Sequence, residues 1–322
     1  MVALAAAGCG GEGGSAAADD GRLQVVTTVA PITSIVAAVG GDRVAIEGLV
    51  PEGTNSHTFE PPPSAAAVLA GADVLFVNGL ELEEPTEDLA ASNLRDGARL
   101  VALGNETLTP DEYLYDFSFP ESGGKPNPHL WTNPSMAARY AELVKDALVD
   151  LDPDNAATYE DNHAAFSARV DELDAAVRAA TGTVAPENRT LLTYHDAYAY
   201  FAAEYGWEVI GAIQPGDFAE PSARDVAELV TQVRATGVPA VFGSEVFPSP
   251  VLEQIGEETG VRYVDVLRDD DLPGEPGEAE HSWLGLMRFD YITMVEALGG
   301  DAAALEAVPL TPTAPDEADY PQ

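Results

Sequence analysis

The sequence predicts an α/β protein with two parallel-sheet lobes joined by one long helix, and three observations support this prediction. Short apolar runs alternate with helical segments in both halves of the chain, a pattern typical of βαβ units. The length of 322 residues and the hydrophobic content of 46% suffice for a core in each of two lobes. A long helical pattern connects the two halves. We therefore expect a cleft between two lobes.

In the N-terminal half, runs rich in β-branched residues alternate with helical segments. The first helix is expected to end at Gly40 and Gly41. The predicted elements are a strand at 23–28, a helix at 31–39, a strand at 44–50, a helix at 63–70, strands at 73–77 and 100–103, and a helix at 134–151. This alternation predicts the first parallel sheet.

A single helix is predicted to connect the lobes at 152–182. Asp152 can cap this helix with Pro153 at its first position, and Gly182 can stop it. Apolar-face positions recur every three or four residues along its whole length: Ala156, Tyr159, His163, Phe166, Val170, Leu173 and Val177. At 1.5 Å per residue the helix spans roughly 40 Å. We expect it to act as a stiff spine that opposes wide hinge closure.

The C-terminal half repeats the alternation of the first. Strands are predicted at 190–194, 208–213, 240–242 and 262–267, with helices at 198–205, 223–235 and 250–259. We divide the chain into a leader and flexible tether (1–21), an N-terminal lobe (22–151), the spine helix (152–182), a C-terminal lobe (183–300) and a tail (301–322). The tail is rich in proline and acidic residues, so we expect it to be loose.

The only cysteine, Cys9, ends a short run of small apolar residues. This run resembles the end of a bacterial lipoprotein signal, in which the cysteine is acylated. Residues 10–21 are Gly, Ser, Ala and Asp with few exceptions, which favours a flexible tether. We therefore expect a protein anchored by lipid to the outer face of the cytoplasmic membrane. The alternative is a leader that is rich in Ala and Gly by chance and carries a free thiol.

The formal net charge of −40 restricts the possible partners. Lys125 and Lys145 are the only lysines, so phosphate backbones and anionic lipids would repel the chain. We expect no nucleic-acid partner. Acidity of this kind is typical of a protein adapted to a salty or extracellular setting, and it does not identify a cation site.

Three of the five histidines lie beside turns that are rich in Pro, Asp or Asn. His57 and His195 follow predicted strands, Asp265 lies late in another strand, and His129 precedes a helix behind the rigid Pro128. In parallel α/β sheets, ligands bind beyond the carboxyl ends of the strands. Two candidates come from each half of the chain, so the cleft can present four donors to one ion. Four is the number that zinc prefers.

Several motifs occur in an order that resembles a known family, over about residues 23–298. They are Val25-Val26-Thr27-Thr28 with Gly40-Gly41-Asp42, His57-Thr-Phe-Glu60-Pro61, Ala72-Asp73 with Asn78-Gly79, Pro128-His129-Leu-Trp131 with Pro134, Asn162 on the spine helix, His195-Asp196-Ala197-Tyr198, and Glu245 before Phe247. Together they resemble the zinc- and manganese-type solute-binding proteins of bacterial ABC importers.

This resemblance implies a fold, a function and a ligand set. The fold is two lobes with a backbone helix and a cleft site, and the function is capture of a divalent metal for a permease in the membrane, by a protein that we expect to be a monomer. The implied ligands are His57, His129, His195 and Asp265. Asn127 and Asn133 stand where the family usually has acidic residues, and residues 104–127 lack the histidine-rich run of many zinc-type members.

The metal and the fourth ligand stay open at this point. Three imidazoles and one carboxylate favour zinc, with manganese as the alternative transported ion. Glu60 or a water molecule is an alternative to Asp265, and His281 and the acidic stretch at 269–281 have no assigned role. Because ligation needs deprotonated imidazoles, we expect the metal affinity to fall below about pH 6.

Two other classes of protein compete with a metal receptor. A zinc hydrolase would use three protein ligands and a water, but the chain has no His-Glu-x-x-His motif and no Gly-x-Ser-x-Gly elbow. We therefore do not expect an enzyme. An adhesive surface lipoprotein is the other alternative.

Overall fold

The computed structural model describes residues 21–214, 222–244 and 250–322, except for the side chain of Asp225. Three residues named above, Cys9, Glu245 and Phe247, lie outside the described residues, as does nearly all of the predicted tether.

The N-terminal lobe contains a four-stranded parallel sheet. Its strands are β1 (Leu23–Thr27), β2 (Val44–Gly48), β3 (Val74–Val77) and β4 (Arg99–Ala102), in the order β2-β1-β3-β4. The helices of this lobe are α1 (Ala30–Gly40), α2 (Ala65–Gly71), α3 (Glu84–Asn93), α4 (Leu103–Thr107) and α5 (Pro134–Leu151). Every residue of β3 is buried, as expected for a parallel sheet covered on both faces.

The C-terminal lobe repeats this arrangement with a second parallel sheet. Its strands are β5 (Thr190–Thr193), β6 (Glu208–Ala212), β7 (Ala240–Ser244) and β8 (Arg262–Leu267), in the order β6-β5-β7-β8. After the connecting helix α6 (Ala156–Thr181), the helices are α7 (Ala199–Tyr205), α8 (Ala223–Thr236), α9 (Pro250–Thr259), α10 (Trp283–Ala297) and α11 (Ala303–Glu306). The prediction of two parallel-sheet lobes is confirmed.

The helix that joins the lobes is α6 (Ala156–Thr181), whose 26 residues span roughly 39 Å. It begins later than predicted because Pro153–Asn155 form a 3₁₀ turn and the Asp152 carboxylate accepts a hydrogen bond from the Tyr159 hydroxyl. Helix α6 packs against α1 and α5 of the first lobe and against α10 of the second. One buried apolar cluster runs from Val25 on β1 through α6 to Phe242 on β7. The lobes therefore share a core, which opposes wide closure.

The C-terminal segment differs from the loose tail that the sequence suggested. The N–H of Asp319 donates to the carbonyl of Ile46, and the Asp319 carbonyl accepts from the N–H of Gly48, both at 3.0 Å. The Tyr320 side chain is buried. Composition suggested disorder, but the outer edge of β2 offers backbone groups that this segment pairs. Among the described residues, no helix has both the length and the apolar character that crossing a bilayer requires.

Candidate metal centre

Three histidines that are distant in the sequence meet in the cleft. The Nε2 atom of His129 lies 3.2 Å from Nε2 of His57 and 3.1 Å from Nε2 of His195. One nitrogen from each ring lies within 4.8 Å of the others. A tetrahedral zinc ion with Zn–N distances of about 2.0–2.1 Å holds its nitrogens roughly 3.3 Å apart. The observed separations therefore fit three corners of a tetrahedral metal site.

The local structure around each histidine explains why they converge. His57 lies in a 3₁₀ turn, Ser56–Thr58, in the connection that follows β2. His195 comes just after β5, and His129 immediately precedes the 3₁₀ turn Leu130–Thr132 that leads into α5. Strand ends and helix starts of both lobes face one crevice, so residues at these junctions point into it.

The protonation of His129 is fixed by Asn127. The Nδ1 atom of His129 lies 2.9 Å from Oδ1 of Asn127 and donates to it. The amide nitrogen of Asn127 in turn donates to the Asp116 carboxylate at 2.6 Å and to the carbonyl of Asp196 at 2.7 Å. Because Nδ1 carries the proton, Nε2 presents a bare lone pair to the cleft.

His195 is oriented in the same manner by Gln214. Its Nδ1 atom donates to Oε1 of Gln214 at 3.0 Å, which leaves Nε2 free of a proton. Burial lowers the pKa of His195 to about 4 and lowers the pKa values of His57 and His129 well below 6.5. All three imidazoles are therefore neutral near pH 7, the form that binds metal.

Two buried carboxylates of the C-terminal lobe lie beside His129. Ligand atoms of His129, Asp269 and Asp270 lie within 4.8 Å of one another. Burial raises the pKa of Asp269 to about 6 and raises the pKa of Asp270 well above its usual value. Oδ1 of Asp269 lies 3.4 Å from the Ser244 hydroxyl, whereas Oδ1 of Asp270 is buried with no hydrogen-bond partner among the described residues. An orphaned buried carboxylate oxygen is expected where a cation binds.

The predicted fourth donor, Asp265, is exposed in the middle of β8 and belongs to neither group of clustered donors. Asp269 and Asp270, which follow the end of β8, lie in a group with His129. Glu60 is exposed and also lies outside both groups of donors. His281 is buried beside Glu52, with Nε2 and Oε2 3.8 Å apart, and it too lies outside them.

An aromatic shell covers the three imidazoles. The ring centroid of Phe119 lies 5.4 Å from those of His57 and His195 and 5.6 Å from that of His129. Trp131 lies 5.0 Å from His129 on another side, and its indole nitrogen donates to the carbonyl of Asp269. This packing covers much of the nitrogen cluster and restricts the ring positions.

The sequence did not indicate Gln214 or Asp270, and it predicted no hydrogen-bonding support for His129 from Asn127. Asn127 provides that support through its amide oxygen in place of a carboxylate. Only the order of the strands points to Gln214. It follows β6, which lies next to β5 in the sheet, and β5 is the strand that leads to His195. The signal for Asp270 was the acidic run just beyond β8.

Comparisons with known proteins agree with this arrangement. Residues 25–297 match the family described as zinc-uptake complex component A, periplasmic. The zinc-binding protein TroA of Treponema pallidum is 30% identical over 290 residues, which cover 89% of this chain and 92% of TroA. The manganese-binding lipoprotein MntA of Halalkalibacterium halodurans is 28% identical over 298 residues, which cover 92% of this chain and 96% of MntA.

A solved structure also shares the fold. The periplasmic zinc-binding protein TroA from Treponema pallidum superposes with a TM-score of 0.77 and 27% identity, over 86% of this chain and 99% of that one. The similarity includes both lobes.

Proposed function

Since the chain belongs to the family of periplasmic zinc-uptake components, we propose that it is an extracytoplasmic receptor that captures zinc and delivers it to an ABC permease. One observation carries the proposal: the Nε2 atoms of His57 and His195 lie 3.2 and 3.1 Å from Nε2 of His129, in a cluster of three neutral imidazoles drawn from both lobes. The facing Nε2 lone pairs of His129 and His195, whose Nδ1 atoms carry the ring protons, repel one another unless a cation lies between them.

We assign the four ligands as His57, His129, His195 and Asp270. Asp270 is preferred over Asp269 because its Oδ1 atom lacks a partner, while the Ser244 hydroxyl lies within reach of the Asp269 carboxylate. Three nitrogen donors and one oxygen donor suit zinc, a borderline-soft ion with a preference for four ligands.

Manganese is the second candidate, and a specific observation favours it. The Asp269 carboxylate lies in the same cluster as Asp270 and His129, so a small rotation would supply a fifth donor that is oxygen. Manganese prefers oxygen ligands and higher coordination numbers than zinc. The two relatives described above are named for zinc and for manganese.

A transport role fits the site better than hydrolysis. A cavity of about 100 Å³ lies beside His57 and one of about 10 Å³ lies beside His195. Pockets for organic substrates measure about 300–1,000 Å³. With four protein donors on the ion, no position is left for a catalytic water.

Delivery of the metal requires that the site open. Helix α6 and the shared core tie the lobes together, so we propose that local shifts of the ligand loops, promoted by the permease, release the ion. All four donors come from one chain, which supports a monomer. Cys9 is the proposed lipid anchor, and MntA is itself named a lipoprotein. Replacement of Cys9 by Ser should move the protein from the membrane fraction to the soluble fraction.

Competition with a metal indicator of known affinity tests the proposal. We expect zinc to bind more tightly than manganese. The variants His129→Ala and Asp270→Ala should each lower the zinc affinity by more than about 100-fold, which exceeds the usual effect of removing a residue that only hydrogen-bonds to a ligand. His163→Ala and Asp265→Ala are the matched controls and should bind like the wild type. Unchanged binding in His129→Ala would refute the site, and a loss confined to Asp265→Ala would restore the first assignment of the fourth ligand.

A further inference from the structure

A reciprocal pair of contacts joins the two lobes beside the cluster of donors. Oε1 of Glu52 accepts the N–H of Leu272 at 2.8 Å. The neighbouring Gly53 donates its N–H to both carboxylate oxygens of Asp271, at 2.9 and 2.8 Å. Gly53 has a φ of +76°, a backbone conformation that glycine adopts readily, and this turn directs its N–H toward the other lobe.

These contacts hold one side of the loop that carries Asp270. The other side is held by the C-terminal lobe and by Trp131: the N–H of Arg268 donates to Asp290 at 3.0 Å, and the carbonyl of Asp269 accepts from Trp131 at 2.8 Å. Asp270 therefore lies between two anchored segments, and its position depends on both.

Glu52 also precedes His57 on the same connection after β2. Its backbone N–H donates to the carbonyl of Pro321 at 3.0 Å, and its Oε2 atom accepts from the side-chain amide of Gln322 at 2.8 Å. Both carboxylate oxygens thus have partners from outside the N-terminal lobe. The side chain is 12% exposed, so these hydrogen bonds are largely shielded from water.

We propose that Glu52 is a positioning residue for the metal site, which sets the distance between the loop of His57 and the loop of Asp270. It touches no metal itself and acts through the N–H of Leu272. Loss of this anchor lets the Asp270 loop move away from the histidines and so speeds metal release. The inference rests on the proposed function of the site.

The test compares Glu52→Ala with Glu47→Ala, which removes an exposed carboxylate from the preceding strand. Zinc dissociation is followed by stopped-flow mixing of the loaded full chain with an excess of chelator. We expect Glu52→Ala to raise the rate of zinc dissociation by about tenfold. This is the lower end of the change in metal affinity that follows when a residue supporting a ligand is removed. Glu47→Ala should match the wild type. Equal rates for the two variants would overturn the proposal.

Two further variants separate positioning from general destabilisation. Glu52→Gln keeps an acceptor for the N–H of Leu272 and should restore a slow rate, whereas Gln322→Ala removes only the C-terminal contact and should have a small effect. In the Asp270→Ala background, Glu52→Ala should change the rate no further, because the ligand that it positions is gone. If Glu52→Ala raises the dissociation rate by the same factor with and without Asp270, its role is merely structural. Normal zinc binding in His129→Ala would instead show that the proposed metal site itself is wrong.

Discussion

The Nε2 atom of His129, at the entrance to α5, lies 3.1 Å from Nε2 of His195, at the end of β5 in the other lobe. Neither nitrogen carries the ring proton, because each Nδ1 atom donates to an amide oxygen, of Asn127 or of Gln214. The two lone pairs face each other in a buried site. Hydrogen bonds within the protein therefore set the ring orientations that metal binding needs.

We predict that Asn127→Ala weakens zinc binding by about 10–100-fold, the effect expected when a histidine ligand loses its outer hydrogen bond. The variant also removes the side-chain amide that donates to Oδ2 of Asp116, whose Oδ1 keeps its bonds from the N–H groups of Ser118 and Phe119. Asn155→Ala is the control, since the Asn155 amide bonds to Asp152 at the start of α6, far along the chain from the ligands. Indicator competition measures both affinities, and equal values would show that Asn127 does not support His129.

Phe119 should act as a lid on the nitrogen cluster. We predict that Phe119→Ala raises the rate of zinc dissociation by about tenfold, because water then reaches the ion and its ligands. Phe117→Ala is the matched control: Phe117 lies on the same loop, and its side chain is 53% exposed. The rate of zinc dissociation into an excess of chelator is measured for both variants. If the Phe117 variant releases zinc as fast as the Phe119 variant, loop disturbance rather than exclusion of water is the cause.

Glu83 should make the stability of the metal-free protein depend on pH. Burial raises the pKa of Glu83 from 4.5 to about 7, although its carboxylate accepts hydrogen bonds from Thr28, Asn78 and Gly79. Because the folded pKa lies above the unfolded one, the stabilisation is complete below about pH 4.5 and is lost as the pH rises through 7.

Urea unfolding of the metal-free protein at pH 5 and pH 8 measures this loss. Relative to Glu83→Gln, which does not titrate, the wild type should lose about 2 kcal/mol of unfolding free energy between these two values. The same pH dependence in both proteins would assign the effect to other groups.

The hydroxyl of Tyr140 supports the turn that carries His129. It donates to Oδ1 of Asn78 at 2.6 Å, and the Asn78 amide donates to the carbonyl of Pro128 at 2.9 Å. We predict that Tyr140→Phe lowers the unfolding free energy by about 1–3 kcal/mol, since a buried acceptor loses its donor. Denaturant unfolding checks the value, with the exposed Tyr115→Phe as control. No loss of stability would mean that another donor replaces the hydroxyl.

Much of the fold could be predicted because its strands are short buried runs between clear turn signals. Pro134–Leu151 and Pro250–Thr259 were predicted with the bounds that the structure shows. Helix α10, Trp283–Ala297, was not predicted. Most of its residues are buried, including Asp290, so the polar stripe that reveals a surface helix is weak.

The three histidines could be found because each follows a recognisable turn at a junction between elements. The carboxylate could not be assigned, because the sequence offers Asp265 and then three adjacent aspartates, Asp269–Asp271. Position along β8 decides between them: Asp265 precedes the end of the strand at Leu267, whereas Asp270 lies beyond it, in the crevice. Which aspartate turns inward depends on contacts with Trp131 and Glu52, which are distant in the sequence.

The pairing of Asp319 with the outer edge of β2 has a consequence for biosynthesis. A ribosome makes β2 about 270 residues before Asp319, so the edge of the first sheet is covered only after the strands of both lobes have been made. Until then an open strand edge is available to other nascent chains. Both lobes therefore mature together, and shortened chains that end before this segment should be prone to aggregate.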